Sequence, residues 1–423
     1  MTYKKTTLDN GLRIITAPKE DSLTTSVFVL VEAGLIYETK EINGLSHFLE
    51  HMVFKGTPKR PRTMDIASEL DSLGASYNAF TSEEFTAYWA KAEPRHFEKI
   101  LDAVSDIYLN PLLAPEEINK EKGVIIEEIN MYEDIPMRRV QGVFTSLLYG
   151  DQPAGWDVIG RKEVIEKIGR DDFLKYRASR YLPSKTIVVI AGKINEDEVI
   201  QKTKTVFGQM PKGVAKEREK IVERPERPGV LIKQKNSDQS HIVLGVKAFN
   251  IFDDRKYALQ VLADILGGGM SSRLFQEVRE KLGAAYYVRA EDDLYPDRGL
   301  VAVSAGLDNR RLAETVGVIL GELKKMAALA VTDEELKRAH DHLIGNLMIS
   351  LEASDHIAGF YGGEEVLTGE IKTPEEIAEK IRAVTAKDIE EVAKSIFKKD
   401  KLNLAMIGPE ADEEKFLKLL EEF

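Results

Sequence analysis

The amino-acid sequence predicts an α+β protein of two homologous domains, each an antiparallel-rich sheet with packed helices. Three observations carry this expectation. Segments of the two halves match in the same order at a nearly constant offset: Glu116-Glu117-Ile118 with Glu334-Glu335-Leu336, Glu166-Lys167-Ile168 with Glu379-Lys380-Ile381, and residues 186–192 with 402–408. Such ordered self-similarity is the mark of a duplicated unit. Short β-rich runs, for example residues 26–31 and 242–246, alternate with long amphipathic stretches, the pattern of helices packed on a sheet. Between the halves, residues 211–229 are rich in alternating charge, proline and glycine and poor in apolar residues, as an interdomain linker is. The expected domains are therefore 1–210 and 230–423, joined by 211–229.

Taken along the chain, Asp9-Asn10-Gly11 reads as a hairpin turn. Residues 26–31 read as a buried strand. Asn43-Gly44-Leu45-Ser46 supplies a helix start and Lys55-Gly56-Thr57-Pro58 a stop, with Phe48, Leu49, Met52 and Phe54 anchoring the helix in the core. Asn78-Ala79-Phe80-Thr81-Ser82 reads as an edge strand. A helix opens at Pro115 with an acidic first turn and runs to about Tyr132, with Val124, Ile125, Ile126 and Ile129 as its buried face.

A chain of 423 residues with 43% apolar content can bury two cores of about two hundred residues each. The net charge of −12 argues against nucleic acid as a ligand. Without cysteine there is no disulfide framework, thiolate metal site or thiol nucleophile. No apolar stretch is long enough to span a bilayer, so no membrane partner is expected and the reading is cytoplasmic.

The chemistry concentrates in His47-Phe48-Leu49-Glu50-His51. Side chains at i and i+4 stand one above the other on a helix, so His47 and His51 can ligate one ion. Glu50 lies beside that face and suits a base that takes a proton from water rather than a ligand. The bland alternative is a helix with two surface histidines and a solvated glutamate. A catalytic zinc needs a third protein ligand. Glu128 meets that need, whereas Glu127 points about 100° away on the same helix. Glu121, two turns before Glu128, is placed to orient a ligand or share the catalytic load. His340 and His342, two residues apart on a predicted helix, point to different faces and are expected in surface or capping roles.

The histidine-first motif is that of the inverzincins. With Glu128, and Glu121 seven residues before it, the chain resembles the pitrilysin (insulinase) family of zinc peptidases, among them the small bacterial-type members and the catalytic subunit of the mitochondrial processing peptidase. The resemblance implies two domains that form half of a clamshell-like chamber, with zinc held by His47, His51 and Glu128. It assigns Asn78, Ala79, Phe80 and Thr81 to a substrate-binding edge strand. It also carries over Arg279 and Tyr286, after the run Gly267-Gly268-Gly269-Met270-Ser271-Ser272-Arg273, as residues that hold a substrate carbonyl and stabilise the oxyanion. Without the family, Arg279 is a solvated charge and Tyr286 a core aromatic. At the matching offset, Ala339 and Asn346 stand opposite Glu121 and Glu128, so the second half is expected to lack metal ligands.

The function expected is zinc-dependent endopeptidase cleavage of peptides or unfolded leader segments, with Glu50, Glu121, Arg279 and Tyr286 as catalytic residues. Family members of twice this size carry four such domains, which implies a homodimer, or a heterodimer with a related subunit, in which Arg279 and Tyr286 serve the partner's zinc. Two other readings compete. A peptide-presenting processing subunit would be expected to lack the ligands and base that this chain has. A structural zinc would need a fourth protein ligand, and none is evident. At Gln152-Pro153-Ala154-Gly155-Trp156 the chain departs from the family's His-Pro-Leu-Gly-Arg, so no subsite preference is carried over.

Overall fold

The computed structural model describes residues 2–222 and 227–423. It contains two sheets of related topology. The first has the order β1-β2-β6-β3-β5-β4, built from Lys4–Thr7, Arg13–Pro18, Thr25–Val31, Ser76–Thr81, Thr86–Ala92 and Thr186–Gly192 for β1 to β6. The second has the order β7-β11-β8-β10-β9, from Gly229–Gln234, Gln239–Ala248, Ala285–Leu294, Gly299–Asp308 and Asn403–Gly408 for β7 to β11. β2 pairs with β6 and β7 with β11 in parallel, and the other pairings are antiparallel. The second order reproduces the first without β1. Strands β6 and β11, which contain the matched segments 186–192 and 402–408, hold equivalent places, so the repeat seen in the sequence is a repeat of architecture. The chain is a two-domain α+β protein.

The compact units are nevertheless discontinuous. One comprises Met1–Asn130, Asp157–Lys220 and Met348–Pro374, the other Met131–Trp156, Ile221–Leu347 and Glu375–Phe423. Each half of the chain thus lends a helical segment to the other's sheet. The reason is visible in β3 and β6, in which every residue is buried. Side chains alternate across a strand, and a strand buried throughout needs cover on both faces. Val27, Val29, Val31, Val188 and Ile190 point into the core of the first unit. Leu30 and Val189 point the other way and meet the helix Ser354–Thr368. In the second unit the helix Pro136–Tyr149 packs in the same manner on β7, β8 and β11.

The borrowed helix Ser354–Thr368 is held by specific bonds as well as by apolar contact. Ser354 Oγ lies 2.7 Å from Thr24 Oγ1 and 2.8 Å from Ser26 Oγ. Lys91 Nζ donates to Asp355 at 2.8 Å. Glu365, 1% exposed, pairs with Lys5 at 2.7 Å and Arg13 at 3.1 Å. Gly362 permits the close approach, since a Cβ there would stand 2.7 Å from Leu30 Cδ1 and 3.3 Å from Val189 Cγ2. Gly363, its neighbour, faces open space and has no such role.

Residues 211–222, 227 and 228 carry no helix or strand, and residues 223–226 of the expected linker lie outside the described residues. Among the described residues no helix is long and apolar enough to cross a membrane.

Gly362→Val should overpack the contact with Leu30 and Val189 and lower unfolding stability by about 1–3 kcal/mol, read by urea denaturation. Gly363→Ala should leave stability within about 0.5 kcal/mol.

Candidate metal centre

The helix Leu45–Met52 buries Leu45, Phe48, Leu49 and Met52, which locks one face into the core and leaves His47, Glu50 and His51 on the other. Its first turn has no side-chain cap from Gly44, which adopts a left-handed φ of 94°. Glu38 supplies the cap instead. Its Oε2 accepts from Gly44 N–H at 2.7 Å and from Asn43 Nδ2 at 3.2 Å, and its Oε1 from Ser46 N–H at 2.7 Å. A carboxylate here satisfies helix donors that have no intrahelical acceptor and complements the helix dipole. Burial pushes Glu38 up to about 7, opposed by these bonds.

Beyond the helix, the loop is fastened by Arg60, 3% exposed. Its guanidinium donates to Glu69 from Nε at 2.7 Å and from Nη2 at 2.9 Å, and to Asp106 from Nη1 at 2.8 Å. Thr57 Oγ1 donates to the same Asp106 oxygen at 2.6 Å. The start of the short helix is therefore set by a carboxylate six residues before Gly44, and the loop after it by carboxylates on later helices.

The third donor comes from the helix Pro115–Asp134, which buries Ile118, Glu121, Ile125 and Ile129; of the other two residues expected on that face, Ile126 is half-buried and Val124, about 100° from Ile125, is exposed. Glu128 Oε2 lies 3.8 Å from His47 Nε2 and 3.6 Å from His51 Nε2, and Glu127 is exposed. Donors around a tetrahedral ion bound at about 2.0–2.2 Å stand roughly 3.3–3.6 Å apart, so Glu128 needs to close only slightly on each histidine to share a metal with it. The separations are too long for hydrogen bonds between them. Burial, aided by the neighbouring His51, pushes His47 down to about 3, leaving it a neutral imidazole. Among the described residues this is the only group of three or more His, Cys, Asp or Glu able to hold a metal ion.

Glu121 is in contact with one of the donor residues. Its Oε1 lies 2.9 Å from His51 Nδ1 and its Oε2 2.6 Å from Lys55 Nζ. With His51 Nδ1–H donating to Glu121, the Nε2 lone pair faces the metal position. Burial acts to raise Glu121, but the bonds from His51 and Lys55 outweigh it and lower its pKa. Glu50 is raised, chiefly by burial. Its Oε2 accepts a hydrogen bond from Thr81 Oγ1 at 2.7 Å.

Strand β4 is an edge strand of its sheet. Asn78 and Phe80 are exposed and Ala79 is buried. Asn78 Oδ1 accepts from the Ala79 N–H at 2.9 Å, and Phe80 meets Phe85 edge to face. The structure thus brings His47, Glu50, His51, Thr81, Glu121 and Glu128 together in one unit. Arg279 and Tyr286 form a group of their own in the other unit. Both are exposed, Tyr286 at 75%, so Tyr286 is not a core aromatic. The Arg279 guanidinium stands 4.9 Å from the centroid of Phe275 and 5.8 Å from that of Tyr286. Arg279 belongs to a π-helical stretch, Phe275–Lys281, a geometry found often at functional sites. His342 Nδ1 pairs with Asp264 at 2.6 Å and Asn346 contacts its Nε2 at 3.1 Å.

Three contributors escaped the sequence reading. Lys55 falls in the expected helix stop, yet it stands four residues after His51, a spacing that places it beside that histidine. Glu38 and Arg60 carry no comparable signal, because their partners are assigned by the fold.

The sequence model of the family described as Insulinase (Peptidase family M16) matches residues 13–161, and that of the Peptidase M16 inactive domain matches residues 167–343. An uncharacterized zinc protease of Bacillus subtilis is 35% identical over 96% of this chain and 98% of its own length. One from Streptomyces coelicolor is 32% identical over 98% of this chain and 91% of its own. A protease from Helicobacter pylori has the same fold, with a TM-score of 0.89 at 24% identity over 96% of this chain and 99% of that chain. So has a protein from Pseudomonas fluorescens described as a peptidase M16 inactive domain, at 0.89 and 18% identity over 98% of this chain and 100% of that chain.

Glu121→Gln keeps the shape but removes the charge behind His51, and should weaken zinc binding by roughly 10–100-fold in chelator competition.

Proposed function

Since the chain belongs to the insulinase family, peptidase family M16, we propose that it is a metalloendopeptidase that hydrolyses peptides or unfolded leader segments held extended along strand β4. Zinc is the metal. The observation that carries the reading is the convergence of His47 Nε2, His51 Nε2 and Glu128 Oε2 beside a carboxylate, Glu50, that is not one of the three. Three protein donors with an adjacent base are the constitution of a catalytic rather than a structural site.

The roles follow from this placement. When bound to the trio, zinc supplies Lewis-acid chemistry, polarising a peptide carbonyl and making water more acidic. Glu50 takes the proton that water loses as its oxygen bonds to the carbonyl carbon, and gives that proton to the amide nitrogen as the carbon–nitrogen bond breaks. The burial that raises its pKa brings it nearer the range useful to a base. Glu121 keeps the ring of His51 in orientation and tautomer. This narrows its role from sharing the catalytic load to positioning, because both carboxylate oxygens are already engaged. Asn78, Ala79 and Phe80 lie on the edge strand to which a peptide would add by backbone bonds. Tyr286 and Arg279 are assigned to the oxyanion and to a substrate carbonyl, in keeping with their exposure and mutual contact.

In this reading the division of labour follows the halves of the chain: 1–210 carries the metal chemistry, and 230–423, without a donor trio among its described residues, shapes the substrate chamber. A homodimer in the cytoplasm completes the proposal, with Arg279 and Tyr286 of one subunit serving the zinc of its partner.

Purified protein should cleave an unstructured quenched peptide mixture, lose that activity to a chelator and regain it with zinc. Glu50→Gln should retain zinc and lose at least about a hundredfold in turnover. A zinc-loaded wild-type protein that cuts nothing would overturn the peptidase reading in favour of a peptide-presenting role.

Mixing Glu50→Gln with Tyr286→Phe, each inactive alone, should recover measurable activity if the sites are shared between subunits. No recovery, with heterodimers verified by native mass spectrometry, would refute sharing.

A further inference from the structure

The family resemblance places Thr81 on the substrate strand, but its hydroxyl meets Glu50. Alternation along β4 puts Tyr77, Ala79 and Thr81 on one face and Asn78 and Phe80 on the other. The first face meets the helix Leu45–Met52: Ala79 is buried in the core, the helix packs on β4, and Thr81 Oγ1 reaches Glu50 Oε2 at 2.7 Å. A peptide added to the edge of β4 would use backbone groups, which leaves the Thr81 hydroxyl to this contact.

The direction of the bond follows from the neighbouring threonine. Thr81 pairs with Thr86 across the hairpin. The Thr86 hydroxyl donates to Ala33 O at 2.8 Å and lies 3.4 Å from Thr81 Oγ1. Its one proton goes to the nearer, carbonyl acceptor. The Thr81 proton is then free for Glu50, and the Thr81 backbone N–H also acts on that carboxylate. A hydroxyl donor held on Oε2 requires that oxygen to stay an acceptor. The contact occupies one lone pair of Oε2 and lowers its basicity, which favours Oε1 as the seat of the proton exchanged in the reaction.

We propose that Thr81 is a positioning residue that anchors Oε2 of Glu50, reserves Oε1 for the transferred proton, and ties the base to the strand along which the peptide lies. This rests on the peptidase reading above. One short element then sets both the substrate's track and the angle of the base, so the distance between them does not depend on a separate loop.

The test compares Thr81→Val, which removes the hydroxyl but keeps the branched shape and strand preference, with Thr81→Ala and Thr81→Ser. All are assayed in the full-length zinc-loaded protein on a defined quenched peptide cleaved by the wild type. Loss of a hydrogen bond to a charged group should lower kcat on the order of tenfold or more in Thr81→Val and Thr81→Ala. KM and zinc affinity by chelator competition should stay within about twofold of wild type, since neither the strand backbone nor the donor trio is touched. Thr81→Ser should restore most of kcat. A rise in KM with kcat unchanged would overturn the assignment and return Thr81 to substrate binding. Parity of Thr81→Val with wild type would also overturn it, as would a Thr81→Ser protein as impaired as Thr81→Ala. If Thr81→Val does not fold, Thr81→Ala against Thr81→Ser decides by the same criteria. A wild-type protein that holds zinc but cleaves no peptide removes the peptidase premise itself, an outcome distinct from each of these.

Discussion

The Oε2 of Glu128 is held 3.8 Å from one imidazole nitrogen, that of His47, and 3.6 Å from another, that of His51, with no hydrogen bond to either. Where the histidines are neutral, these are three acceptors facing one another, an arrangement that a bound cation turns from repulsive to attractive. Much of the first unit can be read as the scaffold that maintains it. The short helix carrying the histidines is capped by Glu38 at one end and followed by the loop that Arg60 fastens at the other. The helix that carries Glu128 is kept in rotation by its buried isoleucines. Carboxylates withdrawn from water are costly unless well bonded, and Glu38 and Asp106 have three donors each. Lys55 lies 2.6 Å from Glu121, and neither Lys55 nor Arg60 pairs with the donor trio.

The architecture is duplicated, but among the described residues the metal centre is not. The second sheet repeats the strand order of the first, yet the positions opposite Glu121 and Glu128 are Ala339 and Asn346. Asn346 contacts His342, which is bound to Asp264, and no donor trio forms there among the described residues. The fold recurs without the ligands, as expected if packing constrains the sheets and chemistry constrains only a few side chains. The π-helical turn at Phe275–Lys281 and the exposed Tyr286 show that the second unit presents polar and aromatic groups of its own.

Much of the centre was legible in the sequence because helical geometry is local. A spacing of four residues places His47 and His51 together, and a spacing of seven places Glu121 on the face of Glu128. The same rule reaches Lys55. It does not reach Thr81, whose strand period puts it on one face or the other without saying what it meets there. Nor does it reach the partners of Arg60, since Glu69, Asp102 and Asp106 lie on helices whose packing no short window encodes.

By itself, then, the amino-acid sequence determined the fold class, the repeat, and the residues of the metal centre, through periodicities that survive in any well-formed helix or strand. Tertiary structure alone decided that helix Ser354–Thr368 packs on β3 and β6 and helix Pro136–Tyr149 on β8 and β11, because the need to cover both faces of these strands arises only once they lie side by side in a sheet. It also decided that Thr81 donates to Glu50 and that Glu121 joins His51 to Lys55. Hydrogen bonds of 2.6 to 2.9 Å depend on where two elements meet, a quantity set by the packing of the core and not by the spacing of residues along the chain.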